Sequence, residues 1–316
     1  MNEALLTMGM PVYNEDKYIG QAIEYLLAQT FKDFILIISD NASTDKTQQI
    51  CEYYAKKDKR IIYIRHKENK GSLFNYRYVL EQAKTPYFVW SFGHDKWHPC
   101  FVEKLLPALI ERKVVLSYSE SGYIGRDGAP GKILRDDYTT INIDKQVARY
   151  LYILRNYKMP NIFQGIWLTE ALKNCDLNIK SPLADIIIVE QAAFEGKFKQ
   201  HKEVLFWMRI VRGEESYNET VRRQLAAARG KPAKSISMFS IKMAHMIYVA
   251  ESIKIIFRKR YSLGMFTKMW LIMNIIYFKI FYRYTMFTSR VILKKLLVNR
   301  IFSKLNDFWH KGLYKN

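Results

Sequence analysis

Hydrophobic and polar positions alternate in blocks from the start of the chain. The run Ala4-Leu5-Leu6-Thr7-Met8-Gly9-Met10 is a short apolar segment ended by Pro11-Val12-Tyr13-Asn14-Glu15. Phe34-Ile35-Leu36-Ile37-Ile38 is ended in the same way by Ser39-Asp40-Asn41-Ala42-Ser43-Thr44-Asp45. Apolar runs of that length, bounded by turn residues, predict buried strands. Between them Ile19, Ala22, Ile23, Leu26 and Leu27 recur at i, i+3, i+4, i+7 and i+8, the stripe of a helix packed on a sheet. Asn14 or Asp16 is placed to cap its start. Strand, helix and strand make one βαβ unit, whose strands must be parallel and whose crossover is right-handed.

The alternation continues. A helix runs through Ile50, Tyr53 and Tyr54, a strand follows at Ile61-Ile62-Tyr63-Ile64, and Asn69-Lys70-Gly71-Ser72 opens a helix carrying Leu73, Phe74, Val79 and Leu80. Tyr87 to Ser91 and Val114 to Tyr118 are further strands, separated by a helix that starts at Pro99 and carries Phe101, Val102, Leu105, Leu106, Leu109 and Ile110. Gly125 to Gly131 holds three glycines and a proline and predicts a hairpin tip. Helical periodicity returns from about 145 to 200, before an apolar strand that ends at Arg209. The pattern predicts an α/β fold, a mostly parallel sheet flanked by helices. In such sheets ligands bind beyond the carboxyl ends of the strands, which singles out Pro11, Tyr13, Glu15, Asp40, Asn41, Ser43 and Asp45. No G-x-G-x-x-G or Walker A run accompanies them, so the usual dinucleotide and P-loop readings lose their main support.

At 316 residues, 49% of them apolar, the chain can bury a sizeable core and is not disordered by composition. Its three cysteines, Cys51, Cys100 and Cys175, are odd in number, widely spaced and form no C-x-x-C, so neither a disulfide framework nor a zinc ribbon is indicated, which fits a reducing compartment. Glu3 and the lack of a basic stretch before Ala4 argue against a secretory leader. The charge of +20 is uneven: residues 229–316 carry 18 Lys/Arg against Glu251 and Asp307, a net of +16, which leaves only +4 for residues 1–228. The change falls at the breaker Arg229-Gly230-Lys231-Pro232.

Beyond that point the segments 236–260 and 261–283 are rich in Met, Ile, Phe and Tyr, yet no apolar run reaches the roughly 18 residues a bilayer span needs. The longest, Met269 to Phe278, is bounded by Lys268 and Lys279. Such segments predict helices lying in a membrane interface, held by an anionic surface, and hence a peripheral protein on the cytoplasmic side of a membrane. Two alternatives stand beside this. The helices complete a core or a dimer interface, or the basic region binds nucleic acid. Nucleic acid is not the expected partner, because the basic residues alternate with more aliphatics and Met than a solvated groove needs.

Met10-Pro11-Val12-Tyr13-Asn14-Glu15, followed at the end of the next strand by Ser39-Asp40-Asn41-Ala42-Ser43-Thr44-Asp45-Lys46-Thr47, resembles the opening of family 2 glycosyltransferases of the GT-A fold. The resemblance implies transfer of a sugar from a nucleotide donor, UDP-linked, to an acceptor hydroxyl of a glycan or lipid-linked glycan, with inversion. It implies that Pro11, Tyr13 and Glu15 hold the nucleoside, that Asp40 accepts a hydrogen bond from the uracil, and that the Asn69-Lys70-Gly71 loop lies near the nucleotide.

The family's metal motif, D-x-D followed by a further Asp, an aromatic and a Pro, falls on Phe92-Gly93-His94-Asp95-Lys96-Trp97-His98-Pro99. Anchored on Trp97 and Pro99, Phe92 and His94 occupy the two Asp positions and Asp95 the further one. His94 and Asp95 are therefore the expected ligands of a divalent cation, manganese or magnesium, that would neutralise the departing diphosphate. Lys96 is the alternative source of charge, and a backbone-bonded turn is the structural alternative for His94.

Leu183-Ala184-Asp185-Ile186-Ile187-Ile188, with Glu195 to Phe198 and Glu203 to Arg209 after it, looks like the family segment that carries the catalytic base. The base would be Asp185, with a helix cap as its structural role and Glu190 as its rival; Arg209 would face a phosphate or a carboxylate. The resulting organisation is a glycosyltransferase domain over 1–228, with 1–120 for the nucleotide and 121–228 for the acceptor, and a basic helical membrane-association region over 229–316. Phe92 at an Asp position also allows a degenerate protein that binds a nucleotide sugar or glycan without catalysis.

Overall fold

The structure, a computed structural model, describes residues 4–111, 114–157, 162–179, 181, 183–211, 217–229, 231–258 and 261–282. Its first part is a run of strand–helix units: β1 (Leu6–Val12), α1 (Ile19–Leu27), β2 (Phe34–Asp40), α2 (Thr47–Lys57), β3 (Ile61–Arg65), α3 (Ser72–Gln82) and β4 (Tyr87–Trp90). These strands lie in the order β3-β2-β1-β4, all parallel, with Met8 opposite Leu36 on one side and Val89 on the other. The α1 stripe packs as its spacing predicts, and Ile19, Ala22, Ile23 and Leu26 are buried. Burying aliphatic side chains of this size stabilises by roughly 1.5–3 kcal/mol each, which decides the helix, because its start has no side-chain cap. The caps expected from Asn14 or Asp16 do not form. The residue at the cap is Tyr18, and the amides of Tyr18 and Ile19 donate instead to the Glu15 carbonyl.

The chain then runs through β5 (Lys96–Trp97), α4 (Phe101–Leu105), α5 (Pro107–Ile110), β6 (Leu116–Ile124), β7 (Pro130–Leu134), α6 (Gln146–Asn156), β8 (Ile166–Leu168), α7 (Thr169–Lys173), α8 (Ala184–Glu195) and β9 (Phe198–Arg209). The helix expected after Pro99 is split in two at Pro107, which has no amide to continue the ladder. β8 joins antiparallel to both β4 and β6, β9 runs parallel to β6, and β5 pairs antiparallel with β9, which extends the parallel half into one nine-stranded mixed sheet. The tip between β6 and β7 is the predicted hairpin: the Gly125 amide donates to the Ala129 carbonyl at 2.8 Å, and Gly128 takes the positive φ of 86° the turn needs.

The first compact unit extends to Tyr261, beyond the charge change near 229. It includes α9 (Tyr217–Arg229), a 3-10 turn at Ala233–Ser235 and α10 (Met238–Ile256). Val221, Leu225 and Ala226 pack with Ile236 and Ala244 in a small apolar cluster. Glu190, inside α8, is 1% exposed and accepts hydrogen bonds from Ser252 Oγ and Tyr248 Oη of α10, which pins α10 to α8. Charge composition marks a boundary that packing does not respect.

The second unit starts at Ser262 and contains α11 (Met265–Ile276) and a π-helical turn at Tyr277–Tyr282. The rest of the basic region, residues 283–316, lies outside the described residues. Among the described residues no helix is long and apolar enough to cross a membrane.

Candidate active site

The loops after β1 and β2 brace one another. Asn14 sits at φ 56°, a conformation Asn tolerates better than most residues, and its Oδ1 accepts from the Thr44 amide at 2.8 Å. The Asn14 amide donates to Ser43 Oγ, the Glu15 amide to Thr47 Oγ1 and the Asp16 amide to Asp45 Oδ2. Ser43 and Asp45, candidate ligand residues by position, are thus loop staples. Asn41 ties in a third loop: its Nδ2 donates to Asn69 Oδ1 at 2.9 Å and to the Gly71 carbonyl at 3.1 Å, and its Oδ1 accepts from the Lys70 amide at 3.0 Å. Gly71, at φ 89°, makes the turn into α3 that a side chain would strain.

These loops wall a cleft of about 880 Å³ beyond the carboxyl ends of β1, β2 and β4, where an open parallel sheet binds its ligand. Pro11, Tyr13, Glu15 and Asn69 line it, as do His94, Asp95 and Asp185, so seven of the nine expected site residues share one cavity. Asp40 and Lys70 do not. Asp40 is fully buried beneath the floor, with Oδ1 accepting from the Ser43 amide at 2.8 Å and Oδ2 from Tyr63 Oη at 2.7 Å, and Arg65 Nε 3.6 Å away. The wall at that level is its neighbour Asn41. Lys70 lays its ammonium over the Phe74 ring, 5.0 Å from the centroid. Aromatic residues the sequence reading left unassigned, Tyr76, Trp90 and Phe163, complete the wall, with Trp90 and Phe163 stacked at 4.4 Å.

At one end Glu15, His94 and Asp95 form a charged row. His94 Nδ1 lies 3.1 and 3.0 Å from the two Glu15 carboxylate oxygens, and Nε2 lies 3.9 Å from Asp95 Oδ1. Burial alone would make this imidazole less basic, but the Glu15 hydrogen bond and the charges of Asp95 and Glu15 outweigh it and raise its pKa. Asp95 is 3% exposed and its pKa is pushed up to about 6 by burial, against the pull of His94 and of the Arg209 amide, which donates to Oδ1 at 2.8 Å. Arg209 also lines the cleft, and its guanidinium is held by three acceptors: Nε donates to the His94 carbonyl, Nη1 to the Gly125 carbonyl and Nη2 to Gln21 Oε1.

His94 and Asp95 were expected to hold manganese or magnesium, and the donor set does not fit a cation. Phe92 supplies no ligand where the motif's first carboxylate would stand. One His94 nitrogen is engaged by Glu15, and Asp95 is engaged by the Arg209 amide beneath the surface. No group of three or more His, Cys, Asp or Glu side chains able to hold a metal occurs among the described residues. Lys96, the alternative charge, is turned away over Trp207 and Tyr25, at 5.4 and 5.9 Å from the ring centroids.

Asp185, in the same cleft, stands in the first turn of α8, where the helix end favours an anion. It is not the cap, a position held by Leu183, and α8 has no side-chain cap. Burial pushes its pKa up to about 6, the backbone amides of Ile186 and Asp185 holding it back. A carboxylate so placed is still ionised at neutral pH and is a stronger base than an exposed Asp. Glu190, its rival, is sequestered against α10 and does not line the cleft. Tyr76 lies within reach of all three carboxylates: its phenol is made less acidic first by burial and then by the charges of Asp185, Asp95 and Glu15.

The Glycosyl transferase family 2 profile matches residues 7–166, half of the chain. The chain is a family 2 glycosyltransferase. Relatives of this glycosyltransferase include TuaG of Bacillus subtilis, provisionally assigned to teichuronic acid biosynthesis, 27% identical over 228 residues that cover 66% of this chain and 88% of TuaG. An uncharacterized glycosyltransferase of Methanocaldococcus jannaschii is 27% identical over 227 residues, covering 71% of this chain and 77% of that one. Among solved structures, S. aureus TarS in complex with UDP-GlcNAc superposes with a TM-score of 0.53 at 17% identity, over 88% of this chain and 91% of that one. The mannosyltransferase PcManGT of Pyrobaculum calidifontis, in complex with GDP-Man and Mn2+, gives 0.52 at 13% identity, over 96% and 81%. At these identities the likeness speaks to the GT-A fold, which this family 2 glycosyltransferase shares.

Proposed function

We propose that this glycosyltransferase moves a hexosyl or N-acetylhexosaminyl group from a UDP-linked donor to a hydroxyl of a glycan or lipid-linked glycan, with inversion, in the assembly of a cell-surface polysaccharide. The nucleoside lies between Pro11 and Tyr13, with its base edge against Asn41 and Asn69; Asp40, expected at the base, acts from beneath by holding the loop that carries Asn41. Asp185 takes the proton of the acceptor hydroxyl as that oxygen attacks the anomeric carbon. The bond from the anomeric carbon to the diphosphate breaks on the opposite face, and its electron pair leaves with UDP. The observation that carries this reading is a desolvated carboxylate, Asp185, lining the same cleft as the Tyr13–Glu15 loop. Loss of transfer in Asp185→Asn, with UDP binding retained, is the expected result; near-normal turnover would remove Asp185 from the mechanism.

Phe92 supports a second reading, a protein that binds the nucleotide sugar without transferring it. Donor that is bound by the wild type but never consumed, whatever the acceptor, would decide for it. The proposed location is the cytoplasmic face of an anionic membrane. Phe239, Met243 and Met246 of α10, at i, i+4 and i+7, are exposed on one face, with Phe239 at 73% and Met246 at 55%, in a region that carries most of the chain's net positive charge.

A further inference from the structure

Phe92 stands where the resemblance expects the motif's first carboxylate, and its ring belongs instead to a run of aromatic rings that lines the cleft. The His94 and Phe92 rings stack, 6.2 Å apart and 18° from parallel. Phe92 meets Tyr76 at 5.7 Å, Tyr76 meets Phe163 at 6.3 Å, and Phe163 stacks on Trp90 at 4.4 Å. Trp90 and Phe163, 1% and 4% exposed, form the backing. Trp90 Nε1 donates to the Tyr76 carbonyl at 3.1 Å, which ties β4 to α3 behind the run, and the Glu15 carboxylate holds His94 at its end. Phe92 and Tyr76 are only partly buried, so they are the members of the run that a ligand reaches most readily.

We propose that this run is a platform for the sugar being transferred, with Phe92 and Tyr76 as its contact surface; this rests on the donor reading above. A pyranose carries C–H bonds on its ring faces and hydroxyls around its rim, so it suits an apolar surface with polar groups at the edge. Ligand pockets are generally built in that way, from aromatic walls and a few placed polar groups. Such a polar group follows Phe163 in the chain. Gln164, 7% exposed, lines the cleft, and its Oε1 is buried without a hydrogen-bond partner among the described residues. Leaving a buried acceptor unsatisfied is costly, and a rim hydroxyl of a sugar against Phe163 supplies a donor for it. The place is also the right one for the reaction. The transferred ring has to lie between the nucleotide and the base, because the acceptor oxygen attacks opposite the departing diphosphate. Tyr76 meets that requirement, since its phenol feels the charges of Asp185, Asp95 and Glu15 together. A sugar that turns an axial hydroxyl onto the aromatic surface gives up part of this contact, so the platform selects among donors.

Calorimetric titration of the full chain with UDP-glucose, UDP-galactose, UDP-N-acetylglucosamine and GDP-mannose tests the proposal, in excess EDTA and again in manganese. The β-methyl esters of UDP and GDP are the comparison ligands, with the charge of a nucleotide sugar and no ring. At least one nucleotide sugar should bind about five- to tenfold more tightly than its ester. In Phe92→Leu and in Tyr76→Leu, which keep an apolar side chain and remove the ring, that preference should vanish. Ester affinity should stay at its wild-type value, which also shows the variants are folded. Tyr76→Phe should keep the preference, because the ring and not the hydroxyl makes the contact. Equal binding of sugars and esters by the wild type, or a preference that survives both leucine variants, overturns the proposal and leaves the donor reading intact. Binding of neither esters nor nucleotide sugars in either condition overturns the donor reading and this inference together.

Discussion

Asp185→Asn should make the protein at once less active and more stable, and the two effects have one cause. Burial lifts the carboxyl from 3.8 to about 6 in the folded state. Above pH 6 the group is ionised in both states, and the fold bears the cost of holding a desolvated charge. Between about pH 4 and 6 the folded state holds a proton that the unfolded state has lost, so stability declines as pH rises through that window. Below it both states are protonated and the cost is gone. At about 1.4 kcal/mol per tenfold, the ceiling is roughly 3 kcal/mol, and the side chain's partial exposure brings this to about 1–2. For a domain of this size that is roughly 2–8 °C in Tm. Thermal unfolding of wild type and Asp185→Asn at about pH 8 and pH 4 should therefore show a variant that is more stable at the higher pH and level with wild type at the lower. Turnover should fall on the order of a hundredfold or more, with UDP affinity little changed. Equal stabilities at both pH values would mean the carboxyl is not desolvated, and the argument for it as an activated base would fail.

Three further outcomes follow from the same geometry. The wild-type kcat/KM should fall as pH drops below about 6, because the base must be ionised to accept a proton; a profile flat to pH 5 would point to another base. Glu190→Ala should lower Tm by leaving buried hydroxyl partners of Ser252 and Tyr248 without their acceptor, at a cost of roughly 1–3 kcal/mol, and should leave kcat near wild type; equal loss of activity in the Asp185 and Glu190 variants would erase the distinction between them. Phe239→Glu with Met246→Glu should reduce co-sedimentation of the full chain with vesicles rich in anionic lipid, without lowering Tm, since both side chains are exposed; undiminished binding would assign the exposed face of α10 elsewhere.

The parallel half of the sheet was legible because each of its elements obeys one local rule. The α1 stripe, the apolar runs of β1 and β2, which the structure carries on through Pro11 and Ser39 to Val12 and Asp40, and the glycine-rich tip at 125–131 signal themselves within a dozen residues. β5 and β8 did not, since two or three residues hold too little pattern to see, and their place is decided by pairing with β9, β4 and β6. At the site, position at a strand end located the right loops, but not which way each side chain goes. Asp40 and Asn41 are adjacent and equally polar, and only the partners Tyr63 and Ser43 send the first beneath the floor and leave the second at the wall. Asp45 and Thr47 carry the same chemistry as ligands and serve as staples. The place of α9 was hidden by charge. A net positive stretch looks the same whether it lies on a surface or packs on its own domain, and the cluster of Val221, Leu225 and Ala226 with Ile236 and Ala244 shows that this part of the basic region packs within the first unit.

Donor transfer with Asp185 as its base is tested most directly by release of the nucleoside diphosphate from a panel of UDP- and GDP-sugars, followed by phosphorus NMR with wild type and Asp185→Asn side by side. Wild type should release UDP from at least one UDP-sugar, and the variant should bind the same donor but leave it intact. Donors that bind the wild type and are never consumed, with or without glycan acceptors, would contradict it.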